Sequence, residues 1–195
     1  MRIKAVIFDL DGTITEPFFD FDAIRAEMGL TAVDGPVWEA MQKMSPDRRR
    51  QTEEILFYHE QRGVEESQLN EEAAQTLAEM RRLGIKIGIL TRNRAANAWA
   101  VAEKHGLEFD AVVGREEGPV KPDVYGVLEL CRRFGVRPDE VLMVGDYFFD
   151  LQCAHQAGAI AVLLANHPRA DEFAKEADYR IDRLDKILQI IEKRG

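Results

Sequence analysis

The sequence predicts an α/β fold: a doubly wound parallel sheet of Rossmann-like type, with a small all-helical subdomain inserted near its start. Three observations carry this. Five short runs are apolar almost throughout and rich in β-branched residues, as strands covered on both faces are. Helical stripes lie between successive runs, the alternation that builds parallel sheets. After the first run, about 55 residues contain no strand pattern, far more than an ordinary connection needs.

The first strand is Ile3 to Phe8 (IKAVIF). The insertion is bounded at 16–71, leaving 1–15 and 72–195 as the core. It reads as three helices, Phe21 to Met28, Pro36 to Met44 and Pro46 to Gln61, with breaks at Gly29–Gly35, Ser45–Pro46 and Gly63. Ser45 stands at the N-cap of the third, with Pro46 at its first helical position. Ala73, Leu77 and Met80 then share one helical face, and Gly84 stops that helix. The second strand is Ile85 to Leu90. Ala95, Ala98, Trp99 and Ala102 form the next stripe, closed by Gly106. Ala111 to Val113 is the third strand. Val124, Val127, Leu128, Cys131 and Phe134 make a further stripe ended by Gly135. Val141 to Val144 and Ala159 to Leu164 are the fourth and fifth strands. The last helix carries Leu184, Ile187, Leu188 and Ile191, with Asp182 as its expected N-cap.

Composition excludes several classes. The chain has 195 residues, 46% apolar and 31% charged, enough for one core and a small appendage and too apolar for disorder. No apolar run approaches a membrane span. The opening MRIKAVIFDL has no secretory h-region or cleavage site, and Cys131 and Cys153 form no metal-type cluster or disulfide framework. A reduced, cytoplasmic setting is expected. The net charge of −9 argues against nucleic acid and anionic membrane as partners. It does not exclude a small anionic substrate, because local charge overrules net charge. Composition leaves oligomeric state open.

Ligands of open α/β sheets bind beyond the carboxyl ends of the strands. Asp9-Leu10-Asp11-Gly12-Thr13 follows the first strand, Thr91-Arg92-Asn93 the second, and Gly145-Asp146 the fourth, with Asp150 four residues on. Lys121 comes soon after the third. Asp9 and Asp11, two apart, point the same way. Carboxylates that close repel unless a cation lies between them or one holds a proton. Asp146 adds a third, and an oxygen-only donor set suits Mg²⁺. Gly12 and Asn93 let backbone N–H groups approach an anion. A divalent cation beside an anion cradle points to phosphoryl chemistry, with an aspartate available as nucleophile.

This ordered set, D-x-D-G-T, Thr, Lys and G-D-x-x-x-D, resembles the haloacid dehalogenase superfamily. The helical insertion is similar to that superfamily's C1-type cap, as in subfamily I, and the whole looks like phosphoglycolate phosphatase-like members. The resemblance implies that Asp9 is the nucleophile and a metal ligand. It implies that Asp11 is general acid and then base, its carbonyl also reaching the metal. Thr91 and Lys121 then serve catalysis and phosphate binding, together with Gly12, Arg92 and Asn93. Asp146 ligates Mg²⁺, and Asp150 supports the site through a metal-bound water or Lys121. A carboxylate at Asp11 favours phosphate esters over carbon–halogen bonds, because an alkoxide needs a proton to leave and a halide does not. The implied activity is Mg²⁺-dependent hydrolysis of a small phosphorylated metabolite through an aspartyl-phosphate. The alternatives are a β-phosphoglucomutase-like isomerase and a non-catalytic binding module of the same fold.

Other features read more plainly. His59, His105, His155 and His167 do not cluster in sequence. Tyr147, Phe148 and Phe149 pack under the loop or wall the substrate entrance. Arg48, Arg49 and Arg50 lie near a helix N-terminus, where cations oppose the dipole. They read as a solvated face or as readers of an anionic group on the substrate.

Overall fold

The first apolar run forms β1 (Ala5–Phe8), buried at every residue. Next come the helices α1 (Phe21–Glu27), α2 (Val37–Gln42) and α3 (Pro46–Glu66). After α4 (Ala73–Arg82) and β2 (Lys86–Leu90), strand and helix alternate. The order is α5 (Ala95–His105), β3 (Ala111–Val113), α6 (Tyr125–Phe134), β4 (Val141–Gly145), α7 (Phe148–Ala157) and β5 (Ile160–Leu164). Then come α8 (Ala170–Phe173), β6 (Tyr179–Ile181) and α9 (Lys186–Lys193). This computed structural model describes residues 2–194. They form two compact units: Phe18–Ser67, and the described residues up to Pro17 together with those from Gln68 onward.

In the larger unit six strands form one sheet in the order β3-β2-β1-β4-β5-β6, all parallel. Ala5 and Ile7 face a core shared with Leu130 of α6 and Leu151 of α7. Val6 and Phe8, equally buried, project to the opposite face by the two-residue period of a strand. Covering both faces explains why these strands are apolar without alternation. Phe8 pairs with Ile89 on one side and Val144 on the other. The residues that follow β1, β2 and β4 therefore emerge level at one edge of the sheet. The strand order reverses between β1's two neighbours, which places the ligand crevice there.

The smaller unit has its own core of Ile24, Met28, Leu30, Val37, Met41 and Leu56. Asp20 caps α1 by accepting from the backbone N–H groups of Asp22 (3.1 Å) and Ala23 (3.0 Å).

Three local expectations are corrected. The helix expected to break at Gly63 runs to Glu66. A Cβ at Gly63 would lie 2.7 Å from Phe19 Cζ, so the glycine makes room for an aromatic ring and does not end a helix. Ser45 is the N-cap of α3 and Pro46 its first residue, as expected, although the serine side chain makes no cap bond. The last helix starts after Asp185, not Asp182, because bend and turn residues 182–185 separate it from β6. The smaller unit is also tighter than 16–71. Glu16 N–H donates to the Gln68 carbonyl (2.9 Å) and Asn70 N–H to that of Ile14 (3.0 Å), which ties these flanks into the larger unit.

Candidate active site

Asp9 follows β1, Asp146 follows the last residue of β4, and Asp150 lies in the first turn of α7. Carboxylate oxygens of all three lie within 4.8 Å of one another. Lys121 Nζ donates to Asp9 Oδ1 (2.5 Å) and to Asp150 Oδ1 (2.6 Å). Exposure is 9% for Asp9, 6% for Asp146, 1% for Asp150 and 2% for Lys121. Two glycines make this packing possible. Gly12 has φ +90°, and a Cβ there would sit 2.6 Å from Asp146 Oδ2. A Cβ at Gly145 would sit 2.2 Å from Asp150 Cγ.

Charge decides what the cluster can hold. Three carboxylates and one ammonium leave two negative charges uncompensated. Burial, then the Asp9 and Asp150 charges, push Asp146 up to about 8. Burial also lifts Asp150 to about 6, despite Lys121. Burial pulls Lys121 the other way, but Asp150 and Asp9 outweigh it and hold the ammonium above its ordinary value. A proton or a cation must therefore complete the cluster. The donors are all oxygen, which fits a hard divalent cation such as Mg²⁺. Asp150 spends Oδ1 on Lys121 and accepts the Tyr147 N–H at Oδ2 (3.1 Å). Asp9 and Asp146 are thus better placed as direct ligands, with Asp150 behind them.

A carboxyl whose folded value lies above its unfolded one favours the fold at low pH. That contribution is lost as pH rises, here from the ordinary carboxylate range towards 8 for Asp146. Asp146→Asn removes the penalty. It is expected to stabilise the metal-free protein by about 1–2 kcal/mol in mildly alkaline buffer. If Asp146 is a metal ligand, the substitution should also erase the rise in Tm expected of the wild type on adding Mg²⁺. Thermal melts with and without Mg²⁺ measure both, and an unchanged Mg²⁺ response in the variant would discard Asp146 as a ligand.

Thr91 is buried directly after β2. The Asn93 N–H, expected to face the anion, donates instead to Thr91 Oγ1 (2.9 Å). That uses an acceptor site on the hydroxyl and leaves its proton able to turn to an oxyanion. The Asn93 side chain reaches Asp11, Nδ2 donating to Oδ2 at 3.3 Å. Arg92 is also placed differently from expectation. Its guanidinium donates to the Lys121 carbonyl and lies 4.9 Å from the centroid of the Phe149 ring, so it ties the loops after β2 and β3 to α7.

The haloacid dehalogenase-like hydrolase family model matches residues 3–158. The chain belongs to that family. A haloacid dehalogenase-like hydrolase domain-containing protein of Arabidopsis thaliana is 31% identical, over 98% of this chain and 84% of its own length. A phosphoglycolate phosphatase of Vibrio vulnificus is 26% identical, over 97% and 96%. A solved hydrolase from Pseudomonas syringae shares the fold, with TM-score 0.83, 18% identity and coverage of 97% and 98%. This haloacid dehalogenase-like hydrolase is an enzyme, and relatives matched over nearly its full length are phosphatases by name.

Three asparagines that sequence reasoning passed over brace the hydrolase's loops. Asn70 Nδ2 donates to the carbonyls of Gly12 (3.1 Å), Thr13 (2.8 Å) and Thr15 (3.1 Å). Asn166 Nδ2 donates to the Gly12 carbonyl as well (2.6 Å). Asn97 Nδ2 donates to Asn93 Oδ1 (2.8 Å). In sequence each looks like a turn former or a polar helix residue.

Arg48, Arg49 and Arg50 all have partners within the smaller unit. Arg48 donates to the Gly29 carbonyl (3.2 Å), Arg49 to Glu53 (2.8 Å) and Arg50 to Asp47 (3.2 Å). Tyr147 packs edge-on against Phe149, His167 and Phe173. His59 pairs with Glu27 and His155 with Asp178. The buried thiols of Cys131 and Cys153 are pushed up to about 11 and about 12, first by burial, which makes them poor nucleophiles. No helix among the described residues is long and apolar enough to cross a membrane.

Proposed function

We propose that the chain is a Mg²⁺-dependent phosphatase of a small phosphorylated metabolite, phosphoglycolate phosphatase-like, acting through an aspartyl-phosphate on Asp9. One observation carries the reading: Lys121 bridges Asp9 and Asp150 beside Asp146, at the crevice where the strand order reverses. Asp9 attacks phosphorus while the bond to the ester oxygen breaks, and Asp11 gives that oxygen its proton. Asp11 then takes a proton from water. The water attacks phosphorus, the bond to Asp9 breaks, and inorganic phosphate leaves. Lys121 orients Asp9 through Oδ1 and offsets its charge. The Thr91 hydroxyl and the Gly12 loop hold the phosphoryl oxygens. Asp9, Asp146 and the Asp11 carbonyl would hold Mg²⁺, which would supply neutralisation of the phosphoryl charge.

Substrate selection is assigned in this reading to the helical unit acting as a cap, with Arg48, Arg49 and Arg50 as candidates for a second anionic group. Alanine at the residue that reads it should raise KM for a dianionic metabolite and spare p-nitrophenyl phosphate. Changes below about twofold in all three variants would make the run a solvated face.

The deciding experiment is a panel of phosphorylated metabolites, including phosphoglycolate and phosphosugars, followed by phosphate release with Mg²⁺ and with excess chelator. Release that needs Mg²⁺ is expected. Full activity in chelator would discard the metal. A sugar phosphate isomerised without phosphate release would favour the mutase, and no turnover of any ester would leave a binding module.

A further inference from the structure

We propose that Asn97 is a positioning residue for proton transfer. It fixes the Asn93 side-chain amide so that the NH₂ group, not the oxygen, meets the Asp11 carboxylate. The assignment rests on the phosphatase reading above, in which Asp11 is the acid.

The orientation follows from donor and acceptor bookkeeping. Asn93 Oδ1 accepts twice, from Asn97 Nδ2 (2.8 Å) and from the Arg94 backbone N–H (2.8 Å). An amide oxygen has two lone pairs, so both are used. The NH₂ end is left to turn away, and it donates to Asp11 Oδ2 at 3.3 Å. The reverse orientation would put the amide oxygen against a carboxylate and face its NH₂ towards two donors, unfavourable at both ends.

Asn97 can impose this because it is buried and anchored in a helix. It lies in the first turn of α5 and is 3% exposed. Its backbone N–H donates to the Arg94 carbonyl (3.0 Å). Asn93 is fixed from a second side, since its own N–H donates to Thr91 Oγ1 (2.9 Å). The result is a chain of bonds from a buried helix residue to the carboxyl that must hand over a proton. A donor on Oδ2 fixes the rotation of that carboxyl. The 3.3 Å length is of the kind that tightens when substrate arrives.

A role in positioning Asp11 differs from a role in holding up α5, and the leaving group tells them apart. Alkyl phosphates need the Asp11 proton; p-nitrophenyl phosphate needs it far less. The test is the single-turnover rate of enzyme phosphorylation, with Mg²⁺, for one alkyl and one aryl ester. Wild type, Asn97→Ala, Asp11→Asn and the double variant are compared. Asn97→Ala is expected to slow the alkyl ester about tenfold and the aryl ester less than about twofold, with KM nearly unchanged. In the Asp11→Asn background it should cost nothing further, because a residue that acts through another shows no separate effect once that one is gone.

Equal losses on both esters, no loss on either, or a loss that persists in the Asp11→Asn background would each overturn the proposal. Should Asn97→Ala fail to fold by circular dichroism, Asn97→Gln carries the same criteria, since it keeps the amide but moves it by one methylene. A wild type that forms no phosphoenzyme from either ester would sink the phosphatase reading and this assignment with it. An active wild type with the wrong pattern would sink the assignment alone.

Discussion

Asp9→Asn is expected to lower kcat at least about 10³-fold, about 4 kcal/mol of barrier, with the fold intact. The replacement has the same shape, so it fits the buried position beside Lys121. An amide is a far weaker nucleophile than a carboxylate, and it also withdraws one of the two carboxylate ligands proposed for Mg²⁺. The fold should survive because Lys121 keeps its bond to Asp150 at 2.6 Å and one buried negative charge is gone. Phosphate release under steady state gives the rate. Acid-quenched trapping of phosphoenzyme shows whether the intermediate still forms, and circular dichroism reports the fold. A folded Asp9→Asn protein with turnover near the wild type, or one that still traps phosphate, would end the mechanism.

Much of the fold was legible because the strong strands are buried on both faces. A run such as Val141–Gly145, buried throughout, needs nearly continuous apolar sequence. β6 was not legible for the opposite reason. Tyr179, Arg180 and Ile181 go from half-buried to exposed to buried. The strand is three residues long and, among the described residues, pairs only with β5, so one core-facing residue suffices and no run forms. Gly63 misled because a glycine's backbone freedom suggests a stop, whereas here its missing side chain admits Phe19. Part of the acidic cluster was legible, because Asp9 and Asp146 sit just beyond strand ends that the topology brings level. Its third carboxylate, however, is that of Asp150 and not of Asp11, and Lys121 reaches it from farther along the loop after β3. The bracing amides were not legible. Asn70 is far from Gly12 in sequence, and Asn166 farther still, and no local pattern announces a bond to a distant carbonyl. Arg92 carries the same lesson: its position beside Thr91 suggests phosphate, but its guanidinium is held on Lys121's carbonyl and Phe149's ring.

Lys121→Met should damage stability and catalysis together. Methionine matches the length of the lysine stem, so the slot remains filled and the loss isolates the charge. Without the ammonium, Asp9 and Asp150 remain buried and close to Asp146 with no positive partner. Stranding buried charge in this way costs about 3 kcal/mol. Lys121 is held above its ordinary value by Asp150 and Asp9 against the pull of burial. Its contribution is therefore fully present below the ordinary amine range and is lost only in strongly alkaline solution. In the variant, proton uptake must replace it. Asp150, already lifted to about 6 by burial and by Asp9, is pushed further up. A raised carboxyl value loses stability as pH rises through it, so the deficit should be larger in mildly alkaline than in mildly acid buffer. Mg²⁺ should recover part of it by supplying positive charge. Catalysis should fall about 10³-fold, because a preorganised charge beside the reacting groups is removed. Lys121→Arg should not rescue either property, since its planar fork is larger than a slot only 2% exposed can take. Urea unfolding at the two pH values, with and without Mg²⁺, and phosphate release measure the pair of effects. A Lys121→Met protein as stable as the wild type at both pH values, with kcat within about tenfold, would show that the ammonium neither holds the cluster together nor serves the reaction.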